Sequence, residues 1–196
     1  MDLSSYLDDP GMGSDGHMQD PLNGFSDRKV ALIIIDVQNK FVDPEGPVMG
    51  SLMKRMGRIN EAADAFRRTG NPVVVVLFDG DSHNPGGENP DGLVDGLRTS
   101  ETDEFVHKSY MNSFRETDLE EVVKKHGCTG VVLAGLVAQY CVISTYYAAF
   151  DHGLVPYMLK GGIASNIEEK ADSVERICKC VGMEDILGNV NFSGKA

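Results

Sequence analysis

Three residues in this 196-residue sequence have side chains that could together form a nucleophilic site, and each lies at or after the end of a predicted strand. Asp36 directly follows the apolar run 30–35, Lys108 closes a short segment of strand character, and Cys141 stands in the first turn of a predicted helix. A carboxylate, an ammonium and a thiol make a nucleophilic site, in which the thiol attacks and the carboxylate moves its proton.

Each of the three also has an ordinary structural interpretation. Asp36 could cap a turn, Lys108 could be a solvated charge, and Cys141 could be a small buried core residue. The position of Cys141 favours the functional interpretation. The positive end of a helix dipole and free backbone N–H groups lower the pKa of a thiol and hold an oxyanion. The combination favours a nucleophilic site more strongly than any one residue does.

The elements that must position these residues alternate between strands and helices. Short apolar runs are typical of strands buried on both faces of a parallel sheet. The predicted strands are 30–35, 72–78, 104–108, 130–134 and 154–159, with a weak last strand at 189–192. Helical spacing covers 51–68, 117–126, 139–152 and 166–181. This alternation predicts a three-layer, doubly wound α/β domain with a mostly parallel sheet of about six strands.

The carboxyl ends of parallel strands meet at one edge of the sheet, where ligands bind near the switch in strand order. We therefore expect Asp36, Lys108 and Cys141 to lie together there. The segment 79–100 is rich in Gly, Asn and Pro and leads away from the same edge. A loop of that length is usually functional.

Composition excludes several classes of protein. The chain has 18 Lys and Arg against 30 Asp and Glu, a net charge of −12, so it lacks the basic surface of a nucleic-acid or anionic-membrane binder. No apolar run approaches the roughly 20 residues that span a bilayer, and no secretory signal is expected. We expect a polar N-terminal extension at 1–27 and one domain at 28–196.

The cysteines indicate a reducing compartment. The four are Cys128, Cys141, Cys178 and Cys180, and their spacing is not that of a disulfide-stapled scaffold. Cys178 and Cys180 stand in a helical pattern, where positions two apart point in different directions. This favours ordinary helical packing over a metal or redox site and predicts a cytoplasmic location.

Three stretches carry a family resemblance: VALIIIDVQNKFVDPEGPV at 30–48, VHKSYMNSF at 106–114 and GVVLAGLVAQYCVISTYYAAFDHG at 130–153. In their order and spacing the chain resembles the isochorismatase-like (nicotinamidase-related) cysteine hydrolase superfamily, from Val30 to about Ser165.

The resemblance implies a catalytic triad of Asp36, Lys108 and Cys141. Asp36 would take the thiol proton and later pass it to the leaving amine, while Lys108 would hold the carboxylate and favour the thiolate. Cys141 would form a thioester that water hydrolyses. The backbone N–H groups of Val137 and Cys141 would form the oxyanion hole, beside a cis peptide at Leu136–Val137.

The resemblance also implies a substrate pocket, although core packing is an equal alternative for its aromatic residues. The expected pocket residues are Gln38, Phe41, Tyr110, Leu136 and Tyr140.

Two departures limit the resemblance. Many relatives have Thr-Asp where this chain has Ala138-Gln139. Nicotinamidases carry an Asp-x-His metal motif with further His ligands. Here Asp81 and His83 match it, but Asn89 stands where another ligand is expected. A metal usually needs three or more protein ligands, so we expect no metal or other cofactor, and nicotinamide is disfavoured as substrate.

The sequence therefore predicts a metal-independent cysteine hydrolase that cleaves a C–N bond of a small amide, carbamoyl or ureido substrate. Two alternatives are isochorismatase-type vinyl-ether hydrolysis and a catalytically silent binding protein. Cys141 argues against the first, because relatives with that activity lack the cysteine, and the intact triad argues against the second. The resemblance and the polar N-terminal extension also imply a homo-oligomer, either a dimer or a tetramer.

Overall fold

The computed structural model describes residues 25–26, 28–80 and 89–189. Strands and helices alternate through these residues. The strands are β1 (Val30–Ile35), β2 (Val73–Phe78), β3 (Glu104–Lys108), β4 (Gly130–Leu136), β5 (Val155–Ala164) and β6 (Cys180–Val181). The helices are α1 (Pro47–Arg68), α2 (Leu119–Lys125), α3 (Ile143–Asp151), α4 (Glu168–Ile177) and α5 (Met183–Gly188), with a 3-10 turn at Asn39–Phe41 and a π-helical turn at Ala138–Val142.

The described strands form one sheet in which every neighbouring pair is parallel. Its order is β3-β2-β1-β4-β5-β6, so the direction of winding reverses between β1 and β4. This arrangement confirms the predicted doubly wound α/β fold. The carboxyl ends of β1 and β4 border the switch point, where such folds bind their ligands.

Helices cover both faces of the sheet. Within β1, Leu32 and Ile34 pack on the side of α1 and α5, whereas Ile33 and Ile35 pack on the side of α2, α3 and α4. All six residues of β1 are buried, as its continuous apolar run predicts. The result is the predicted three-layer architecture.

Two predicted helix starts are wrong. The first helix begins at Pro47 rather than Ser51, because Pro fits the first helical turn and Gly46 occupies the N-cap. Ser51 is buried inside α1. The helix expected from residue 117 begins at Leu119, with Asp118 as its N-cap. Glu120 of this helix binds His152, the C-cap of α3.

The predicted helix over 166–181 is too long. It ends at Ile177, Cys178 follows as the C-cap, and Cys180 lies in β6 beside Met158 of β5. Pairing with the edge of β5 outweighs the helical spacing of these residues. β6 is the sixth strand of the described sheet; the weak strand predicted at 189–192 lies outside the described residues apart from Asn189, which forms a bend.

The core reaches back into the predicted N-terminal extension. Phe25 is buried, and its ring meets that of Tyr157 edge to face at 4.9 Å between centroids. Asn189 donates a hydrogen bond to the carbonyl oxygen of Arg28 at 3.0 Å, which joins the two ends of the described chain. None of the helices in the described ranges has the length and apolar character needed to cross a bilayer.

Candidate active site

Asp36 lies at the end of β1 in a backbone conformation that few residues adopt. Its φ is +56°, in the left-handed region, and its side chain is buried. Near the end of β4, Gly135 lies beside Ile35 and has a φ of +108°. A Cβ on that glycine would overlap the carbonyl oxygen of Ile35. Only glycine permits this close approach of the two strands. The switch point therefore presents a buried carboxylate at a fixed position.

Lys108 reaches the same point from the end of β3. Its Nζ lies 2.8 Å from Oδ2 of Asp36 and donates a hydrogen bond to the carbonyl oxygen of Met111 at 3.2 Å. Both side chains of the ion pair are buried. The Lys108 ammonium also lies 5.9 Å from the ring centroid of Phe78, the last residue of β2. The side chain thus passes the end of β2 to reach β1.

Cys141 lies in the π-helical turn that joins β4 to α3, where we expected an ordinary first turn of an α-helix. The amide of Tyr140 donates to the carbonyl oxygen of Val137 at 2.9 Å, which closes the turn. The thiol of Cys141 interacts with both Asp36 and Lys108. No other hydrogen-bond donor among the described residues reaches either oxygen of Asp36. The structure therefore brings together the three residues proposed as a triad.

The electrostatics of the thiol differ from the expectation. Burial and, to a smaller extent, the Asp36 carboxylate raise the pKa of Cys141 to about 12, against the opposing effect of Lys108. The predicted lowering of this pKa was wrong, because burial and a neighbouring carboxylate outweigh the turn and the ammonium. Burial also raises the pKa of Asp36, against the opposing effects of Lys108 and Cys141. The thiol is therefore protonated at neutral pH, and it lies beside a carboxyl group whose basicity is increased by burial.

A cavity of about 240 Å³ opens beside these residues. Its lining consists of Asp36, Phe41, Phe78, Met111, Leu136, Val137, Tyr140 and Cys141. Three of the expected pocket residues, Phe41, Leu136 and Tyr140, line this cavity, and their contact with a substrate stays a prediction. The peptide bond between Leu136 and Val137 is cis, as the resemblance implies. The assignment of the oxyanion hole to the N–H groups of Val137 and Cys141 stays a prediction.

Two predicted pocket residues lie outside this lining. Gln38 is buried against the backbone: its Oε1 accepts from the amide of Phe78 at 2.8 Å and its Nε2 donates to the carbonyl oxygen of Asp91 at 3.2 Å. Tyr110 packs its ring under the guanidinium of Arg115, 3.8 Å from the ring centroid. The sequence places a residue near an edge without fixing the direction of its side chain, and a substrate contact by Gln38 or Tyr110 stays a prediction.

Two cavity residues were missed. Phe78 ends β2 at the same edge of the sheet as Asp36, so the rule that located Asp36 also points to it. Met111 lies in the loop after β3 and carries no sequence signal of its own. Its carbonyl oxygen holds Lys108 and its side chain, 57% exposed, forms part of the cavity mouth.

A buried hydroxyl pair behind the site was also missed. Thr145 on α3 donates to the carbonyl oxygen of Cys141 at 2.8 Å, and its hydroxyl accepts from the amide of Ser113 at 3.1 Å. Ser113 belongs to the loop that contains Met111. Both hydroxyl residues are fully buried. The pair joins the segment that holds Lys108 to the turn that holds Cys141.

Gln139, one of the two residues at which this chain differs from the expected Thr-Asp of its relatives, forms side-chain hydrogen bonds of its own. Gln139 accepts from the hydroxyl of Ser165 at 2.8 Å and donates to the side chain of Asn166 at 3.0 Å. These contacts attach the π-helical turn to the end of β5. A neutral amide therefore gives the turn a polar support.

The predicted absence of a metal stays a prediction. Asp81 and His83 lie outside the described residues. Across 25–26, 28–80 and 89–189, no three His, Cys, Asp or Glu side chains are grouped so that they could hold a metal ion. In the same ranges, Cys128, Cys141, Cys178 and Cys180 are free thiols.

Comparison with known proteins places the chain in a family. The family model described as the isochorismatase domain matches residues 30–182. The chain belongs to the isochorismatase family. Among curated proteins, this isochorismatase-family chain is 26% identical over 154 residues to the uncharacterized isochorismatase family protein YddQ of Bacillus subtilis, covering 75% of this chain and 86% of YddQ. It is 28% identical over 155 residues to nicotinamidase 3 of Arabidopsis thaliana, covering 71% and 75%.

Solved structures show the same fold. N-carbamoylsarcosine amidase from Thermoplasma acidophilum is 26% identical, with a TM-score of 0.66 over 79% of this isochorismatase-family chain and 95% of the amidase. The pyrazinamidase of Pyrococcus horikoshii, solved in complex with zinc, is 21% identical, with a TM-score of 0.67 over 79% and 99%. At 21% identity, the similarity to the pyrazinamidase shows only that the two proteins share a fold.

Proposed function

We propose that this protein is a cysteine hydrolase that cleaves a C–N bond of a small amide, carbamoyl or ureido compound. The observation that carries the proposal is the meeting of Asp36, Lys108 and Cys141 at one cavity. A nucleophile beside a base that a third group orients is the arrangement of covalent catalysis. The likeness to a nicotinamidase and to an N-carbamoylsarcosine amidase supports this class of substrate.

The reaction begins with a neutral thiol. As the sulfur of Cys141 attacks the substrate carbonyl carbon, its proton passes to Asp36. The tetrahedral intermediate then collapses, the C–N bond breaks, and Asp36 returns the proton to the departing nitrogen. Ammonia or an amine leaves, and the acyl group remains as a thioester. Water then attacks the thioester, with Asp36 as base, and restores the thiol.

The raised pKa values fit this sequence of proton transfers. A thiol with a pKa of about 12 is protonated at rest, so it needs a base at the moment of attack. Burial raises the pKa of Asp36, which makes its carboxylate a stronger base than an exposed one. Lys108 favours the ionised form of that carboxylate and orients it from 2.8 Å. The N–H groups of Val137 and Cys141 would stabilise the oxyanion of the tetrahedral intermediate.

Ammonia release tests the proposal. Purified protein would be screened against small primary amides, ureido acids and nicotinamide, with ammonia measured by a coupled assay. Release from any small amide, carbamoyl or ureido compound supports the proposed class. Hydrolysis of a vinyl ether without release of ammonia from any member of the panel would favour the isochorismatase-type alternative. Turnover of neither class would favour a silent binding protein.

We further propose that the protein is a cytoplasmic homo-oligomer. The four free thiols are consistent with a reducing compartment. Large side chains that are more than half exposed, such as those of Tyr140 at the cavity and Tyr147 on α3, would be covered by a second copy. Light scattering at micromolar concentration tests this. A mass of two or four times 21.3 kDa is expected, and a monomer would contradict it.

A further inference from the structure

We propose that the cavity beside Cys141 selects substrates whose acyl group is uncharged and rejects those that carry a carboxylate. The inference rests on the proposed function and deepens it, since it separates neutral amides and ureas from ureido acids. It follows from which charged groups the cavity contains and from how they are already engaged.

The walls of the cavity are apolar. Phe41 and Phe78 meet edge to face at 5.7 Å between ring centroids, and Leu136, Val137 and Met111 complete the lining around Tyr140. Among the described residues, the polar side chains of the lining are those of Asp36, Cys141 and Tyr140, and Asp36 is the one carboxylate. It is paired with Lys108 at 2.8 Å, so the lining presents no unpaired charge to a substrate.

Two buried cations lie close to the cavity, and both are engaged. Lys108 forms the ion pair with Asp36 and donates to Met111, so its charge is already matched. Lys40 lies 5.9 Å from the ring centroid of Phe78. Its ammonium donates to the carbonyl oxygens of Phe78 and Gly80, each at 3.0 Å, and pairs with Asp91 at 2.5 Å. A substrate carboxylate would have to compete with these partners.

No Lys or Arg of the described residues belongs to the cavity lining itself. Of the chain's 18 Lys and Arg residues, Lys195 alone lies outside the described ranges. The segment 81–88, which follows β2, contains Asp81 and Glu88 but neither Lys nor Arg. Arg115 lies in the loop after β3, outside the cavity lining. It packs on the ring of Tyr110, and its Nε lies 3.6 Å from Oε1 of Glu116.

A carboxylate on the acyl group would thus be desolvated among apolar side chains, beside an ion pair whose cation is already matched. A buried charge without a partner is strongly disfavoured. We expect kcat/KM to fall by about 100-fold or more when a methyl group of a substrate is replaced by a carboxylate. The volume of about 240 Å³ restricts the acyl group to a few carbon atoms or one small ring.

Matched substrates test the inference. Butyramide and succinamate have the same chain length and differ in a methyl group against a carboxylate, and ethylurea and N-carbamoylglycine form a second pair that differs in the same way. Ammonia release should favour the neutral member of each pair by about 100-fold or more in kcat/KM. Equal or higher kcat/KM for succinamate and N-carbamoylglycine would overturn the inference.

A binding measurement separates this inference from the proposed function. Butyramide should slow the alkylation of Cys141 by iodoacetamide, and succinamate at the same concentration should not. This protection needs no turnover, so it reports on selectivity even if no ammonia is released and the proposed function fails. Protection by succinamate equal to that by butyramide would contradict the proposed selectivity.

Met111 offers a gain-of-function test, because its half-exposed side chain lies at the cavity mouth. Met111→Arg would place a guanidinium there without burying it, and Met111→Gln is the neutral control. The kcat/KM ratio of succinamate to butyramide should rise about tenfold or more in the arginine variant only, through a charge-assisted pair. An unchanged ratio in Met111→Arg, or an equal rise in Met111→Gln, would count against a charge-based selection.

Discussion

The hydroxyl of Thr145 connects the two loops that carry the catalytic groups of the proposed triad. It lies 2.8 Å from the carbonyl oxygen of Cys141 and 3.1 Å from the amide nitrogen of Ser113. The loop of Ser113 also supplies the Met111 carbonyl that holds Lys108. One buried hydroxyl therefore fixes the distance between the nucleophile and the ammonium.

Thr145→Val removes this hydroxyl and keeps the shape of the side chain. It leaves the amide of Ser113 without its buried acceptor, at a cost of about 1–3 kcal/mol in the free energy of unfolding. We expect kcat to fall about 10-fold or more with little change in KM, because the geometry of attack is lost. Thr145→Ser keeps the hydroxyl and should retain most of the kcat. An equal loss of kcat in both variants would show that packing, and not the hydroxyl, matters at this position.

Asp36→Asn should separate the acidity of the thiol from catalysis. The carboxylate raises the pKa of Cys141, so its removal should lower that pKa below about 12 and speed alkylation by iodoacetamide at pH 8–9. Turnover should nevertheless fall by about 100-fold or more, since an amide cannot accept the thiol proton. Alkylation rates and ammonia release would be measured on the same preparation. Slower alkylation combined with normal turnover would exclude Asp36 as the base.

Lys108→Met should change the pH dependence of turnover. Lys108 lowers the pKa of Asp36 against the effect of burial, so without the ammonium this pKa rises further. Asp36 acts as base only when ionised, and the acidic limb of the kcat/KM profile should therefore move to higher pH. At neutral pH we expect a loss of about 100-fold, the usual scale for one electrostatic group. Lys125→Met, on an exposed salt bridge with Glu104, is the control and should keep the wild-type profile.

The close approach of β1 and β4 at the switch point leads to a prediction about stability. Gly135→Ala introduces a Cβ that overlaps the backbone of Ile35 at a φ of +108°, so we expect a loss of about 3 kcal/mol or more in the free energy of unfolding. Gly57→Ala is the matched control, because a Cβ at that position in α1 meets nothing within 4 Å. Better helix propensity should stabilise it by about 0.5–1 kcal/mol. Urea unfolding would measure both, and equal stability of the two variants would contradict the close approach.

The strands, the helices and the proximity of Asp36, Lys108 and Cys141 could be predicted from the sequence, because all of them follow from the spacing of apolar residues. Apolar runs identify buried parallel strands, and the carboxyl ends of such strands share one edge. Side-chain direction was not accessible in this way. Phe78 and Tyr110 both lie near that edge, yet only Phe78 lines the cavity.

Burial and pairing explain the remaining differences. The pKa of Cys141 depends on how deeply the thiol is buried and on its distance from Asp36, neither of which periodicity provides. The spacing of Cys180 fits a helix as well as a strand, and its pairing with β5 shows that it belongs to a strand. The Thr145–Ser113 contact joins residues 32 positions apart, and no local pattern indicates it.

The most direct test of the account is the ammonia released by Cys141→Ala, compared with wild type and with Cys128→Ala. Cys128 is a buried thiol of the core, so its variant controls for the loss of a cysteine as such. We expect no release above background from Cys141→Ala, with a melting temperature within a few degrees of wild type. Cys128→Ala should keep its activity and lose about 1–2 kcal/mol of stability through packing. Substantial ammonia release by Cys141→Ala would contradict a thioester mechanism at this residue.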